Sequence, residues 1–402
     1  MSEAFGDRLR RLRKDAGAGA SPRPVAGEAE SAAPTPLPSW FRERLGRVRE
    51  SGAAPVAALG SPGEPRELVE VRGSRGVCAV RVSRWDLGHS HGVVPLASAL
   101  QARGSDLALL GVDARLEALE LGRALFLDIE TTGLAGGAGT KAFLVGLGRF
   151  TAQGFELWQG FLRGPEDEAA LLDECARQVG ESGALVSFFG KSFDRHRLED
   201  KMRVHGIAAP FERCLHFDLY HPCRRLFGPG LADGRLATME REIAGVERMH
   251  DLAGAFAPAA WYDFLAGRPH RLEEVFAHNR DDILSLVALA AELARRVGEA
   301  HREGWTPGRA LALARCAERL RRWSDCRDWA RRARSAQPAP EEFRGALELE
   351  ARAAEMLADS GSLSELVAMA RAAEELELLA RLERRLARAI RRSRGRAEGG
   401  GS

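Results

Sequence analysis

Residues 125–134, LFLDIETTGL, form an apolar run that is interrupted by two carboxylates, Asp128 and Glu130. Residues two positions apart on a β-strand point to the same face of the sheet, so these two acids would lie side by side. Two like charges at the end of a buried strand are costly unless a cation lies between them. The stretch therefore predicts a core strand that ends at a cation site.

Strand-like and helix-like runs alternate around this stretch, from residue 123 to residue 298. Amphipathic runs on either side of the fourth strand predict helices, and DDILSLVALAAELARRVG predicts a long closing helix. Three consecutive strands followed by helix, strand, helix and strand is the order of an α/β mixed sheet of the ribonuclease H type, flanked by helices. The five predicted strands are ALFLDIE, AFLVGLGRF, GFELWQGFL, GALVSFF and CLHFDLY.

The regions outside this core differ from it in composition. Residues 1–60 are rich in Ala, Pro, Gly and Ser, which predicts a disordered tail and linker. Residues 61–122 alternate in the manner of strands and predict a small strand-rich lead-in to the core. Residues 299–398 contain two helical pairs at about the period of a tetratricopeptide unit, which predicts an all-α helical-repeat (TPR-like) region.

Charge and cysteine content restrict the class of protein. The net charge is +2, so any binding of nucleic acid must depend on local basic patches. One such patch, RLERRLARAIRRSRGR near the end, is equally compatible with nucleic-acid contact and with a solvated helix terminus. The six cysteines are scattered without a CxxC pair, which indicates reduced thiols in a cytoplasmic protein. The N-terminus lacks an apolar signal core, and no stretch is long enough to span a bilayer, so no membrane partner is expected.

Further acids of the α/β segment occupy positions that could meet the first two. Asp194, in FFGKSFD, follows the fourth strand and begins a helix, and His278 and Asp282, in HNRDDILSL, are four residues apart on one helix face. Strand ends lie beside one another in such sheets, so we expect these side chains to converge with Asp128 and Glu130. Carboxylates suit Mg²⁺ or Mn²⁺, and two such ions about 4 Å apart can clamp both oxygens that exchange at a phosphodiester. The sequence therefore predicts a site for two divalent ions.

Three motifs carry a resemblance to a known family. They are FLDIETTGL, GKSFD and HNRDDILSL. Their order and spacing resemble those of the exonuclease motifs of the DEDD superfamily of 3′–5′ exonucleases. More narrowly, they resemble the motifs of the YprB-like predicted exonucleases. The resemblance covers about residues 66–298 and includes GTKAFLVGLG, FDLYHPCRRLF and YDFL between the motifs. It implies a metal-dependent enzyme that hydrolyses phosphodiester bonds at single-stranded or frayed 3′ ends, with DNA slightly favoured over RNA.

The resemblance also implies roles for individual side chains. His278 would orient or deprotonate the attacking water, or contact the scissile phosphate. Thr131 and Thr132 would bind the terminal nucleotide, and Lys191 and Lys141 would meet phosphate. The four acids that would bind the metal ions are Asp128, Glu130, Asp194 and Asp282.

Two departures from the family pattern leave alternatives open. In the third motif, His278 stands where the tyrosine subgroup has Tyr, but its distance to the following acid is that of the tyrosine subgroup. Asp281 is therefore an alternative to Asp282 as the last metal-binding acid. We favour Asp282 because it lies four residues after His278. Phe189 stands where relatives usually carry Asn. This loss motivates a second hypothesis, a nucleic-acid-binding scaffold with weak or no catalysis that uses the helical region for protein partners. The full set of four acids favours the enzyme.

Other polar residues are interpreted as structural. His89 and His91, two apart between glycines, predict a polar turn rather than a metal site. Asp218 ends a strand and is expected to cap the helix that starts near Pro222. His216, on the same predicted strand, is expected to be an ordinary buried residue.

Overall fold

The computed structural model describes residues 63–133, 140–248, 256–298, 305–372 and 375–399, with side chains as far as residue 392. The predicted N-terminal tail and linker, residues 1–60, lies outside the described residues. Within the described ranges, no helix is both long and apolar enough to cross a membrane. The six cysteines are all described and all free.

A seven-stranded mixed sheet forms the centre of the described chain, in the order β1-β2-β7-β6-β5-β8-β9. Neighbours from β1 to β5 are antiparallel, and β5, β8 and β9 are parallel. β3 and β4 form a separate antiparallel hairpin. The strands are β1 Val69–Gly73, β2 Gly76–Trp85, β3 Ser90–His91, β4 Val94–Pro95, β5 Leu125–Thr131, β6 Ala142–Thr151, β7 Gly154–Phe161, β8 Ala184–Ser187 and β9 Leu215–Asp218.

Twelve α-helices accompany the strands in the described residues. Those of the α/β part are α1 Gly104–Gly111, α2 Glu168–Ser182, α3 Asp194–Val204, α4 Tyr220–Leu226, α5 Leu236–Ala244, α6 Ala257–Leu265 and α7 Leu272–Gly298. Those of the C-terminal part are α8 Pro307–Arg319, α9 Trp323–Ser335, α10 Pro340–Leu357, α11 Ser360–Ala372 and α12 Leu376–Gly399. Short 3₁₀ helices are Leu96–Gln101, Ala114–Ala118, Leu121–Arg123, Pro165–Asp167 and Phe211–Arg213.

The predicted fold class is confirmed. All five predicted strands form in the predicted order, and a helical region follows the sheet. The lead-in strands β1 and β2 join the same sheet, because β2 pairs with β7 from Ala79 opposite Phe161 to Trp85 opposite Phe155. The closing helix α7 begins at Leu272, earlier than the predicted run, and it packs against β5 and β6.

Two glycines of β6 let α7 approach the sheet closely. A Cβ atom added at Gly146 would overlap Oδ1 of Asn279, and one added at Gly148 would lie 2.6 Å from Cγ2 of Ile283. Real Cβ atoms essentially never approach other atoms this closely, so a larger residue at either position would displace these side chains. Asp128 of β5 is paired with Gly146 and therefore lies under the same helix.

The C-terminal helices pack onto the α/β part through α8. Apolar residues of α8 and α9, such as Leu311 and Ala330, belong to the same core as residues of α1 and α7. Arg309 Nε donates to the carbonyl oxygen of Leu226 at 3.0 Å, and Arg322 Nη1 donates to that of Ser105 at 2.7 Å. The helical region is therefore attached to the sheet domain by a continuous core and by hydrogen bonds.

His216 of β9 makes the stability of the fold depend on pH. Its ring lies 2.7 Å from Oγ of Ser187, and burial lowers the pKa of His216 to about 3. The pKa of a histidine in an unfolded chain is near 6.5. Below that pH the unfolded chain binds a proton at His216 and the folded chain does not, so the free energy of unfolding falls as pH falls. We expect His216→Gln to reduce the loss of unfolding free energy between pH 7.5 and 5.5 by about 1.4 kcal/mol.

Urea unfolding at the two pH values measures this loss. The matched control is His196→Gln, since the His196 side chain is 60% exposed. An equal pH dependence in the wild type and in His216→Gln would show that His216 takes up its proton equally well in the folded and the unfolded chain.

Candidate active site

Asp128 lies at the centre of the candidate site, in the middle of β5, which α7 packs against. Its Oδ2 accepts a hydrogen bond of 2.8 Å from Nδ2 of Asn279, which also reaches the Asp128 carbonyl oxygen at 3.3 Å. Asn279 is fully buried, and its Oδ1 accepts from Nε2 of Gln159 at 2.9 Å. The orientation of the Asp128 carboxylate is thus fixed by a buried amide of the neighbouring helix.

Glu130, His278 and Asp282 face one another beside Asp128. His278 Nε2 lies 3.6 Å from Oε1 of Glu130 and 3.5 Å from Oδ2 of Asp282. Glu130 and Asp282 are both buried, with 5% and 9% of their surface exposed. The four-residue spacing on α7 brings His278 and Asp282 together because they lie one helical turn apart.

Asp194 enters the site on the first turn of α3, after a loop that Asp218 holds. Asp218 is buried and accepts from the backbone N–H groups of Phe189 at 2.8 Å, Lys191 at 3.0 Å and Tyr220 at 3.0 Å. The interpretation of Asp218 as structural agrees with these contacts, two of which hold the loop before Asp194 rather than a helix end. Burial raises the pKa of Asp218.

Phe189 has an unusual backbone conformation in this loop. Its φ is +63°, a left-handed conformation that Asn and Gly adopt more readily than an aromatic residue. The side chain is 3% exposed, and its ring centroid lies 5.0 Å from that of Tyr220. At the position where the resemblance implies Asn, Phe189 therefore combines a left-handed backbone with buried aromatic packing.

The negative charges of the site act on Asp128. Burial raises the pKa of Asp128 well above its ordinary value, and the charges of Asp282, Glu130 and Asp194 raise it further, while His278 lowers it. Asp282, Glu130, Asp194 and His278 therefore all lie near enough to Asp128 to act on the charge of its carboxylate. The oxygen-rich donor set and its excess of negative charge fit a hard divalent cation.

Two carboxylates of the candidate site have hydrogen-bond partners in the described chain. No three His, Cys, Asp or Glu side chains among the described residues are arranged to hold a metal ion as they stand. Two of the carboxylates instead accept hydrogen bonds, Asp128 from Asn279 and Asp282 from Arg248. An ion at this site would therefore have to draw the carboxylates together and compete with Arg248 for Asp282.

Arg248 is a buried cation within the site. Its Nη2 donates to Oδ1 of Asp282 at 2.5 Å, and its Nε and Nη2 donate to Glu240 at 2.6 and 2.7 Å. Its Nη1 donates to Nδ1 of His278 at 3.2 Å. Because arginine can only donate, Nδ1 of His278 accepts, and a neutral ring then carries its proton on Nε2, toward Glu130 and Asp282.

A chain of hydrogen bonds extends from Arg248 to the β3–β4 hairpin. Ser285 Oγ donates to Glu240, which is 1% exposed, and Nε2 of His91 lies 2.8 Å from Ser285 Oγ. Burial lowers the pKa of His91 to about 4, so its ring is neutral at physiological pH and donates to Ser285. His91 therefore secures the hairpin to α7, a more specific role than the predicted polar turn.

The predicted substrate contacts lie in different surroundings. Thr131 Oγ1 donates to the carbonyl oxygen of Gly133 at 3.1 Å, and Thr132 Oγ1 accepts from the backbone N–H of Lys141 at 2.9 Å. Lys141 Nζ donates to Glu168 at 2.7 Å, so the structure does not bring this lysine to the acids. Lys191 is partly buried, which lowers its pKa, and the charges of Asp218 and Asp113 act against this shift.

The structure distinguishes the two rival acids by their contacts. Asp281 accepts from Nε of its neighbour Arg280 at 2.8 Å, whereas Asp282 contacts His278 and Arg248 and acts on Asp128. Asn279 and Arg248 are site residues that the sequence analysis missed. Asn279 stands within the third motif, next to His278, but no signal in the sequence marks Arg248.

We expect Gly146→Ala to disturb the site through Asn279. The added methyl group would displace the Asn279 amide, on which the orientation of Asp128 depends. Overpacking of this kind costs about 1–3 kcal/mol of unfolding free energy, measured by urea unfolding. Gly73→Ala is the control, because nothing lies within 4 Å of a Cβ at Gly73. If Gly146→Ala proves as stable as Gly73→Ala, α7 does not press on β6 at this point.

Comparison with known proteins assigns the class of the domain. Residues 125–294 match the family model RNase_H_2 of the RNase_H superfamily. The match and the sheet order show that this segment is a ribonuclease H-like domain. The match suggests nuclease activity for this domain, and nucleases of this superfamily generally use divalent metal ions.

One curated relative supports the more specific resemblance. Over 229 residues the chain is 31% identical to the uncharacterized protein YprB of Bacillus subtilis (strain 168). The alignment covers 56% of this chain and 55% of YprB, so the chain spans about half the length of this relative. The predicted resemblance to YprB-like proteins is thereby confirmed.

Proposed function

We propose that the protein is a metal-dependent 3′–5′ exonuclease that hydrolyses phosphodiester bonds at single-stranded or frayed ends of nucleic acid. The observation that supports this most strongly is the convergence of four carboxylates and one histidine in a ribonuclease H-like domain. The four acids, Asp128, Glu130, Asp194 and Asp282, would hold Mg²⁺ or Mn²⁺, and we expect two ions. When bound, the ions would stabilise negative charge on the reacting phosphate and lower the pKa of water.

The side chains around the acids would prepare the site. Asn279 orients Asp128, and Arg248 orients both Asp282 and His278. With its proton on Nε2, His278 is set to donate to a phosphate oxygen or to a water, rather than to remove a proton. Of the roles left open for His278, we therefore favour contact with the scissile phosphate or orientation of the attacking water.

The substrate would be gripped next to the acids. We assign contacts with the terminal nucleotide to Thr131 and Thr132, chiefly through their backbone groups, because their hydroxyl groups already bond to the backbone of Gly133 and Lys141. Lys191, between Asp113 and Asp218, would contact phosphate. DNA stays slightly favoured over RNA. A cytoplasmic location and a protein partner for the helical region stay predictions.

The second candidate function is the nucleic-acid-binding scaffold. The observation that favours it is Arg248, whose guanidinium already neutralises Asp282 at the place where an ion would contact this acid. A nuclease that has lost turnover would still bind strands in such a site. The two functions differ in whether added metal ions produce cleavage.

Labelled strands test the proposed function. Single-stranded DNA and RNA, labelled at the 3′ or the 5′ end, would be incubated with the full chain in Mg²⁺, in Mn²⁺ or in EDTA. The control is the double variant Asp128→Ala, Glu130→Ala. We expect a metal-dependent ladder that shortens from the 3′ end and is absent in the variant. Binding without cleavage under every condition would favour the scaffold.

A further inference from the structure

The helical region contains a groove that is lined mainly by charged side chains. It lies between α8, α10 and α12 and has a volume of about 320 Å³. Four arginines and two glutamates contribute to its wall, namely Arg315, Arg319, Arg352, Arg385, Glu318 and Glu348. The wall therefore carries an excess of positive charge.

Two of the four arginines in the groove have no acidic partner among the ion pairs of the described residues. Glu318 is paired with Arg352 at 2.5 Å, and Glu348 is paired with Arg381 at 2.8 Å. Arg385 is paired with Glu355 at 2.7 Å. In the described part of the chain, neither Arg315 nor Arg319 has a carboxylate partner, and both are exposed. Both glutamates of the groove are thus already neutralised by other residues.

The two surplus arginines lie on the same side of α8, one helical turn apart. Like charges at this spacing disfavour a helix unless an anion lies between them. Guanidinium groups bind phosphate through paired N–H donors, and their charge does not depend on pH in the physiological range. The groove is therefore suited to a phosphate-bearing ligand.

From this geometry we propose that Arg315 and Arg319 form an accessory site for the phosphate backbone of single-stranded nucleic acid. Leu349 is the one apolar side chain in the wall of the groove, whereas peptide recognition depends on apolar anchors in pockets. α8 is fixed to the sheet domain through Arg309, so a strand held here stays with the domain that carries the acids. The proposal rests on the proposed function for the identity of its ligand.

Fluorescence anisotropy with a labelled 30-nucleotide DNA strand tests the site. The full chain is titrated in EDTA, so that binding is measured without cleavage. We expect Arg315→Gln, Arg319→Gln to weaken binding at least about tenfold. The slope of log affinity against log salt should become less steep by about 1.4, since each lost phosphate contact contributes about 0.7 for a single strand.

The matched control is Arg72→Gln, Arg213→Gln, which removes two exposed arginines, one on β1 and one on the 3₁₀ helix Phe211–Arg213, that do not line the groove. We expect this control to keep wild-type affinity and salt slope. Equal weakening in both double variants would overturn the site, because only net charge would then matter. Wild-type binding in the groove variant would also overturn it. An acidic peptide that binds the wild type but not the groove variant, with DNA binding unchanged, would assign the groove to a protein partner.

This test is separate from the test of the exonuclease. If the chain cleaves no strand but the groove variant loses affinity, the accessory site stands and the enzyme does not. If the chain cleaves strands and both double variants bind like the wild type, the enzyme stands and the accessory site does not.

Discussion

Asp128→Asn is expected to abolish cleavage while making the metal-free protein more stable. The exchange removes a carboxylate that three other acids repel, and its amide oxygen can still accept from Asn279. We expect the rate of strand cleavage in Mg²⁺ to fall by more than about 10³-fold, because a metal ligand is lost. In EDTA the midpoint of thermal unfolding should rise by about 2–4 °C, the effect of about 1 kcal/mol in a domain of this size.

The wild type and the Asp128→Asn variant should also differ in how much a metal ion stabilises them. Mn²⁺ should raise the unfolding midpoint of the wild type more than that of the variant, since the ion binds the folded acids. Asp200→Asn is the control, because the Asp200 side chain is 56% exposed and forms a surface pair with Arg203. A variant that cleaves at the wild-type rate, or that melts below the wild type in EDTA, would contradict an electrostatically strained acid cluster.

The fold could be predicted because its signals are local. Each strand of the core is an apolar run of a length that suits a buried strand, and the helices between them are amphipathic. The pairing of β2 with β7 could not be predicted, because alternation identifies a strand but not its neighbour in the sheet. The early start of α7 at Leu272 was missed because its first turns are interrupted by charged residues such as Glu273 and Arg280.

The candidate site could be predicted to the extent that it consists of motifs. The acids and His278 stand at strand ends and on one helix face, positions that the topology brings together. Arg248 contacts Asp282 across 34 residues of sequence, from a position after α5 that has no periodic pattern. Contacts of this kind depend on how two helices pack, and the sequence analysis had no signal for that.

Arg248→Met is expected to destabilise the fold by about 3–5 kcal/mol, the usual effect of leaving one partner of a buried ion pair alone. Glu240 is 1% exposed, and Arg248 provides two of its hydrogen bonds. The double variant Arg248→Met, Glu240→Gln should recover part of this loss, since Glu240 no longer carries an uncompensated charge and Ser285 can still bond to the amide, whereas Asp282 still lacks its arginine partner. Urea unfolding of the single and double variants measures both effects.

A surface arginine provides the control for the loss of unfolding free energy in Arg248→Met. The Arg241 side chain is 59% exposed and is paired with Glu242. We expect Arg241→Met to lower the free energy of unfolding by less than about 1 kcal/mol. If Arg248→Met is no worse than Arg241→Met, Glu240 is not charged in the folded chain. If the double variant is as unstable as the single one, the loss comes from packing or from the unpaired Asp282 rather than from Glu240.

The same double variant reveals what Arg248 does to a metal ion. Its guanidinium donates to Oδ1 of Asp282. A metal ion that binds this oxygen must therefore displace the guanidinium, and the positive charge of Arg248 repels the ion. Removing it without stranding Glu240 should therefore tighten Mn²⁺ binding, measured by isothermal titration calorimetry in the absence of a strand. Weaker binding in the double variant would mean that Arg248 mainly orients Asp282 toward the ion. The site would then need its buried arginine in order to bind metal at all.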